Sequence, residues 1–280
     1  MNYIQPYSRV IINCVFLLGC VQLVQGITEK PFVIITASYN NASWCTRNIS
    51  STLGQQYENY RVIYIDDAST DRTADIVKRF ISEHDLWNKI TLQVNSERRG
   101  HLYNQYYAIH SCADDEIVVI VDGDDWLAHD QVLAYLNRLY SGGDIWMTYG
   151  QFWYWKKERR GISRPIPDEV LENGTIRFYP LWILSHLRTF YAGLFKLISL
   201  DDLLYQGQFF PMAVDVATMI PMVEMAQYHT AFIDEILLIY NDANQLSFHV
   251  QKKKEQERLH HEIIAKKKRY EPLVALPFNR

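Results

Sequence analysis

The sequence predicts an α/β fold, a mostly parallel sheet with helices on both faces in a single domain, and three observations predict it. Strand-like runs alternate with helical patterns of about 10 to 15 residues, the signature of βαβ units with right-handed crossovers. Ile117 to Val121 is an unbroken run of β-branched residues, as a strand covered on both faces requires. Polar residues collect at the strand ends: Tyr39 and Asn40, Asp66 and Asp67, Arg98 and Arg99, then Asp122 and Asp124. In such sheets ligands gather at the carboxyl ends of the strands.

Each element follows from local pattern. Phe32 to Thr36 reads as a strand, Tyr39-Asn40-Asn41 as a turn, and Ser43 to Gln55 as a helix with Ser43 as its cap. Arg61 to Ile65 is a second strand. Asp71 is placed to cap a helix from Thr73 to His84, whose Ile76, Val77, Phe80 and Ile81 recur at helical spacing. Ile90 to Val94 is a third strand, His101 to His110 a third helix, and Glu116 to Val121 the fourth strand. A helix is expected over Asp130 to Tyr140, and a strand pair over Asp144 to Trp155, where Trp146, Trp153, Tyr154 and Trp155 either stack on sugar rings or fill a core. Lys156 to Arg164 reads as a charged loop and Pro165 to Gly174 as irregular. Asp215 opens a helical segment reaching Ala226, and His229 to Ile233 and Glu235 to Tyr240 read as short strands.

The chain has 280 residues, 48% of them apolar and 21% charged, enough for a full core. A formal net charge of −4 provides no global field for nucleic acid, so no such partner is expected. Arg9, the apolar run Val10 to Val24 and Val24-Gln25-Gly26 have the layout of a secretory signal, and Val10 to Ile27 is an alternative uncleaved anchor. Residues 1–26 are therefore assigned as signal peptide or signal anchor. The expected localisation is the secretory route or a membrane anchored through this segment, with a cytoplasmic, membrane-associated protein as the alternative. Cys45 and Cys112 are too few for a zinc cluster, and sequence leaves their pairing open. Asn41, Asn48 and Asn173 head glycosylation sequons that matter only in a eukaryotic lumen.

The chemistry concentrates in Asp122-Gly123-Asp124-Asp125. Residues i and i+2 of an extended segment point the same way, so Asp122 and Asp124 can share one hard divalent cation, with Gly123 leaving room for phosphate oxygens. An EF-hand is excluded, because Leu127 and Leu133 stand where glycine and glutamate are required. Trp126 disfavours a phosphatase nucleophile loop. Neither a Gly-x-Gly-x-x-Gly after the first strand nor a Gly-x-x-x-x-Gly-Lys occurs, which argues against dinucleotide and P-loop chemistry.

Thr36-Ala37-Ser38-Tyr39-Asn40, Ile65 to Thr73, Arg99-Gly100 with Asn104, and Val121 to Asp125 occur in the order seen in family 2 glycosyltransferases. The chain resembles that family over about Pro31 to Leu127. The resemblance implies the Rossmann-like, A-type nucleotide-sugar-binding fold and a metal-dependent, inverting hexosyltransferase. It also implies a nucleotide-sugar donor, UDP-linked, a divalent cation (Mn2+ or Mg2+) and a saccharide, lipid or protein acceptor. The donor-binding set carried over is Thr36, Ser38, Tyr39, Asp66, Asp67, Arg99, Asn104, Asp122 and Gly123, and the Asp-x-Asp acids Asp122 and Asp124 also serve the metal. Arg99 is either a phosphate contact or a surface charge. Ala68 stands where the family usually has glycine.

In the second half the resemblance carries Asp215 as the base that takes the acceptor proton, although Val214 replaces the first acid of the usual Glu-Asp pair. The alternative is that Asp215 caps its helix, with Glu224 then the reserve base. Ser185 to Phe190 resembles a segment that precedes a strand bordering the site, and His186 in it is either structural or a ligand contact. His249 is the candidate late histidine of the metal shell. Residues 31–249 form the transferase domain, 31–127 the nucleotide half and 128–249 the acceptor half, with 250–280 a basic helical tail. The tail carries eight Lys/Arg against three Glu between Gln251 and Arg269, with Leu259, Ile263 and Ile264 as an apolar stripe, so a membrane-surface contact is expected of it. A catalytically inactive nucleotide-sugar or glycan-binding protein of the same fold is the alternative function.

Overall fold

A computed structural model describes residues 28–244 and 253–278. Its centre is β1 (Phe32–Ser38), buried at every position. β1 pairs in parallel with β2 (Tyr60–Asp66) on one side and with β4 (Ile117–Ile120) on the other. β2 in turn carries β3 (Ile90–Val94) in parallel at the sheet edge. The register sets Ser38 beside Asp66, so the polar residues ending these strands emerge together.

The connecting helices bury the faces that their patterns predict. In α2 (Thr73–Glu83) the buried residues are Thr73, Val77 and Ile81, four apart. The Asp71 carboxylate accepts the backbone N–H of Thr73 at 2.9 Å, as expected of the start of that helix. α1 (Cys45–Leu53) begins two residues later than expected, because the carbonyl of Asn41, not the side chain of Ser43, accepts the backbone N–H groups of Trp44 and Cys45. α3 (His101–His110) and α4 (Val132–Gly142) complete the first half, with the two-residue strand β5 (Trp126–Leu127) between β4 and α4. Cys45 and Cys112 are both buried free thiols, which answers the pairing question. Asn41 and Asn48 are buried, so neither sequon presents its asparagine to solvent.

Asp144 to Trp155 corrects the strand-pair expectation. β6 (Met147–Gly150) joins the main sheet, while β7 (Trp153–Tyr154) leaves it for a second sheet with β8 (Arg159–Arg160), β13 (Leu238–Tyr240) and β5. The chain changes layers at Gly150, where a Cβ would lie 3.0 Å from the Ile233 carbonyl oxygen. Trp146 is core, stacked on His229 at 3.8 Å between ring centroids. Pro165 to Gly174 holds the short helix α5 (Asp168–Glu172).

The sheet closes with β9 (Arg188–Tyr191), which runs antiparallel to both β4 and β6. β12 (Thr230–Ile233) then pairs in parallel with β6 at the far edge. The resulting order is β3-β2-β1-β4-β9-β6-β12. α6 (Ala192–Lys196) and the hairpin β10 (Leu204–Tyr205) with β11 (Gln208–Phe209) lead to α7 (Val214–Ala226). α7 is buried at every position from Val216 to Ala226, so it is a central core helix and not an amphipathic surface one.

The tail is helical, as α8 (Lys253–Lys266), but Leu259 and Ile263 of its apolar stripe do not face outward. Leu259 and Ile263 are 0% and 1% exposed, belonging to the main core with α8 packed on α7. The membrane-surface expectation is therefore corrected: Leu259 and Ile263, two side chains that it needs at a lipid interface, are already covered by protein. The anchoring expectation is corrected too, since among the described residues no helix is long and apolar enough to cross a membrane. The segment on which it rested, residues 10–27, lies outside the described residues.

A buried ion pair fastens the end of α8. Arg177 donates from Nε and Nη2 to the two Glu224 oxygens, each at 2.8 Å, and both side chains are almost fully buried. The same guanidinium donates to the carbonyls of Ile263 and Lys268, and Glu224 accepts the backbone N–H of Tyr270. Removing one partner strands a charge in the core, so Arg177→Met or Glu224→Leu alone should cost about 3–5 kcal/mol, and the double variant less than their sum. Chemical denaturation of the four proteins measures this.

Candidate active site

The acids at the end of β4 are held by backbone contacts before any ligand is considered. Val121 and Gly123 donate their N–H groups to the carbonyls of Ile35 and Ala37, continuing the β1 pairing past the end of β4. A Cβ on Gly123 would lie 2.5 Å from the Ser38 side chain and 2.8 Å from its Cα. The space left by this glycine is thus filled by Ser38, where phosphate oxygens were expected. From α1, buried Asn48 donates to the carbonyls of Asp122 at 2.9 Å and Asp125 at 2.8 Å, clamping the turn from below.

Three carboxylates converge in this turn, and each has a different environment. Asp122 is partly exposed, with His101 Nε2 3.4 Å from one oxygen and Arg188 Nη2 3.7 Å from the other. Asp124 accepts from Asn244 Nδ2 at 2.7 Å. Burial first and the Asp122 charge second push Asp124 up to about 6. Asp125 is fully buried and accepts the Asn241 N–H at 2.7 Å through Oδ1, while its Oδ2 has no hydrogen-bond partner. Burial, then Asp124 and Asp122, raise Asp125 well above the ordinary carboxylate range.

This crowding fits a divalent cation. Ligand atoms of Asp122, Asp125 and His186 all lie within 4.8 Å of one another. Two hard carboxylates, one with an unsatisfied buried oxygen, and an imidazole suit Mn2+ or Mg2+. Asp124 adjoins this group through its charge, with its own carboxylate held by Asn244. His249 lies outside the described residues.

The other donor-set residues line the neighbouring strand ends. Thr36 is buried and its hydroxyl has no partner, whereas Ser38 accepts from Asn41 Nδ2 at 3.0 Å. Tyr39 is half-buried beneath the Arg98 guanidinium, 4.0 Å from the ring centroid. Asp66 accepts the Ser69 N–H through Oδ1 and keeps a buried Oδ2 without a partner. Asp67 is committed elsewhere, accepting the N–H groups of Arg99 and Gly100 and the Asn95 side-chain amide. Burial opposes its ionisation, but those hydrogen bonds prevail and hold it below the usual range. Asn104 is buried and accepts from Asn95. The Arg99 side chain turns to Glu97 at 2.8 Å and over the Tyr103 ring.

A cavity of about 620 Å3 is lined in part by Asp215, His186, Asp242, Asn244 and the aromatic rings of Phe152, Tyr154 and Tyr240, with His186 and Asn244 its links to the acids. Asp215 sits in the first turn of α7 and its Oδ1 accepts the Val216 N–H at 3.0 Å. Glu224 faces the core in its Arg177 pair and not this cavity. His260, from α8, closes one wall, its pKa lowered by burial. Sequence reading marked Asn48 only as a sequon and did not single out His101, Asp125, Arg188, Asn241, Asn244 or His260. Arg188 and Asp125 stood inside quoted motifs, but only the folded chain brings them to Asp122.

Residues 33–199 match the model of glycosyl transferase family 2. The chain belongs to that family. An uncharacterized glycosyltransferase of Haemophilus influenzae is 27% identical over 119 residues, 42% of this chain and 46% of that protein. The poly(ribitol-phosphate) beta-glucosyltransferase of Bacillus spizizenii is 28% identical over 106 residues, 37% of this chain and 16% of that protein. The chain thus spans less than half the length of these relatives. The structure of S. aureus TarS 1-349 in complex with UDP-GlcNAc has a TM-score of 0.58 at 18% identity, covering 85% of this chain and 67% of that one. The mannosyltransferase PcManGT from Pyrobaculum calidifontis, in complex with GDP-Man and Mn2+, gives 0.59 at 19% identity, covering 85% and 63%. These likenesses establish the A-type fold expected from the sequence motifs.

The raised pKa of Asp124 fixes a sign. A carboxyl whose folded value lies above its unfolded value stabilises the protein fully below about pH 4, and that contribution is lost as pH rises through about 6. Metal-free protein should therefore lose stability between those limits, and Asp124→Asn should flatten the slope. Denaturation midpoints in chelator-containing buffers from pH 4 to 7 measure it.

Proposed function

We propose that the chain is an inverting glycosyltransferase that moves a hexose from a UDP-linked nucleotide sugar to an acceptor hydroxyl by metal-assisted single displacement. The observation that carries this reading is that His186, grouped with Asp122 and Asp125, lines the same cavity as Asp215. Nucleotide-sugar complexes of proteins with the same fold support the donor class, and the UDP-GlcNAc complex of TarS supports uridine.

The geometry supports the following roles. The buried, unpartnered oxygens of Thr36 and Asp66, together with the Tyr39 ring, suit the base and ribose. Asp67 acts one step back, holding the loop of Arg99 and Gly100. Asp122, Asp124 and Asp125, with His186, are the groups that would hold the cation. When bound, the cation would neutralise charge on the departing nucleoside diphosphate as a Lewis acid. Asp215 takes the acceptor hydroxyl proton while that oxygen bonds to the anomeric carbon, and the bond from that carbon to the diphosphate oxygen breaks on the opposite face. Val214, in place of a second acid, is the feature that favours the alternative of an inactive binding protein.

Nucleotide release from UDP-sugars with Mn2+ or Mg2+ separates the two readings, since an inactive binder releases none. Asp122→Asn and Asp124→Asn should each abolish transfer while leaving the fold intact. Robust turnover of either variant in chelator would overturn the metal assignment. Asp215→Asn should lower turnover by roughly 10²-fold or more at unchanged donor affinity, the scale of general-base loss. A variant that instead weakens donor binding and spares turnover would make Asp215 a structural residue.

A further inference from the structure

The cavity that holds Asp215 does not stand alone. Trp182 and His260 line it and also line a second groove of about 350 Å3, so the two spaces meet along those side chains. The groove wall is made largely of Ile176, Phe178, Pro180, Leu181, Leu184 and Ile220. Phe178 and Leu181 are 66% and 50% exposed, a rim of large apolar side chains beside a candidate reaction cavity. Two such side chains together need explaining more than a scattered exposed leucine does.

What the groove withholds is as informative as what it offers. Its guanidinium, Arg177, has its five N–H groups directed to Glu224 and to the carbonyls of Ile263, Lys267 and Lys268. That leaves Tyr179 and, on the shared wall, His260 as the other titratable lining residues. A second sugar ring lying here would bring hydroxyls into a space with few partners, which costs free energy for each one desolvated. A hydrocarbon chain would lose nothing and would cover Phe178 and Leu181.

We infer that the acceptor is amphiphilic, with its hydroxyl-bearing head in the cavity beside Asp215 and an apolar aglycone lying past Trp182 and His260 in the groove. This rests on the transferase reading and adds the acceptor class. Two probes with one head group and different tails test it: octyl β-D-glucoside, kept below its micelle-forming concentration, and methyl β-D-glucoside, each titrated calorimetrically into the full chain. Burial of a methylene is worth up to about fourfold in affinity, so partial burial of the tail should make the octyl compound bind at least about tenfold more tightly. Phe178→Ser/Leu181→Ser should remove most of that difference, and Leu181→Asn alone should move it in the same direction. Both side chains are exposed, so the melting temperature should hold and an affinity loss is not unfolding. Equal binding of the two glucosides would overturn the inference. So would octyl binding that survives the double variant, meaning detergent on another surface. A groove covered by residues 10–24 of the same chain would give the first of these results. Nucleotide release from donor in water by the wild-type protein reports on the transferase reading separately, so the two ideas fail by different measurements.

Discussion

Three carboxylates gathered at the end of one buried strand are the constraint on which the rest of the structure depends. Like charges at this spacing repel, and burial removes the water that would screen them, so the turn at Asp122 to Asp125 persists only because its backbone is held from several sides. β1 fixes it through the N–H groups of Val121 and Gly123. Asn48 fixes it from α1, and the Asn241 N–H reaches Asp125 from beyond β13. Arg188 and His101 bring compensating groups to Asp122. The electrostatic discomfort that remains is what a cation would relieve, and it is the physical content of the candidate metal centre.

The architecture serves this turn in two ways. The parallel strands β1, β2 and β4 aim their carboxyl ends at one edge, which suits a nucleotide. The antiparallel β9 threads between β4 and β6 and delivers Arg188 and His186 to the same edge from the opposite direction. The small sheet of β5, β7, β8 and β13 then folds over the site, because β13 pairs with β5 directly after the acid turn. Asn241 and Asn244 follow from the end of β13.

The C-terminal segment completes the cavity and is more than an appendage. α8 buries Leu259 and Ile263 in the core, leaving His260 to face Asp215's cavity. Its end is tied down by the pair of Arg177 and Glu224, which explains why Glu224 is unsuited to proton transfer: its carboxylate is already satisfied by a guanidinium and a backbone amide. The family match ends at residue 199, so the walls made by α7, α8 and the Tyr240 region lie beyond it.

Local pattern alone was sufficient for the strand and helix order through β4 and for the one sheet edge at which the polar strand ends collect. Those features are legible because period, capping and β-branching act over a few residues. The same local reasoning misread Asp144 to Trp155, since whether two adjacent strands pair or part depends on partners some 80 residues away, β12 and β13. It gave Gly123 to phosphate where tertiary contact gives it to Ser38, and it treated Asp66 and Asp67 alike where only Asp67 is tied to the loop at Arg99. It took the stripe on the tail for a lipid-facing one, because amphipathicity records that a face is covered without recording what covers it. Nothing in the sequence marks Arg188 or His260 for these positions, and Asn48 is marked only as a sequon. Their roles exist only because the fold brings α1 and β9 to the acid turn and α8 to the cavity of Asp215.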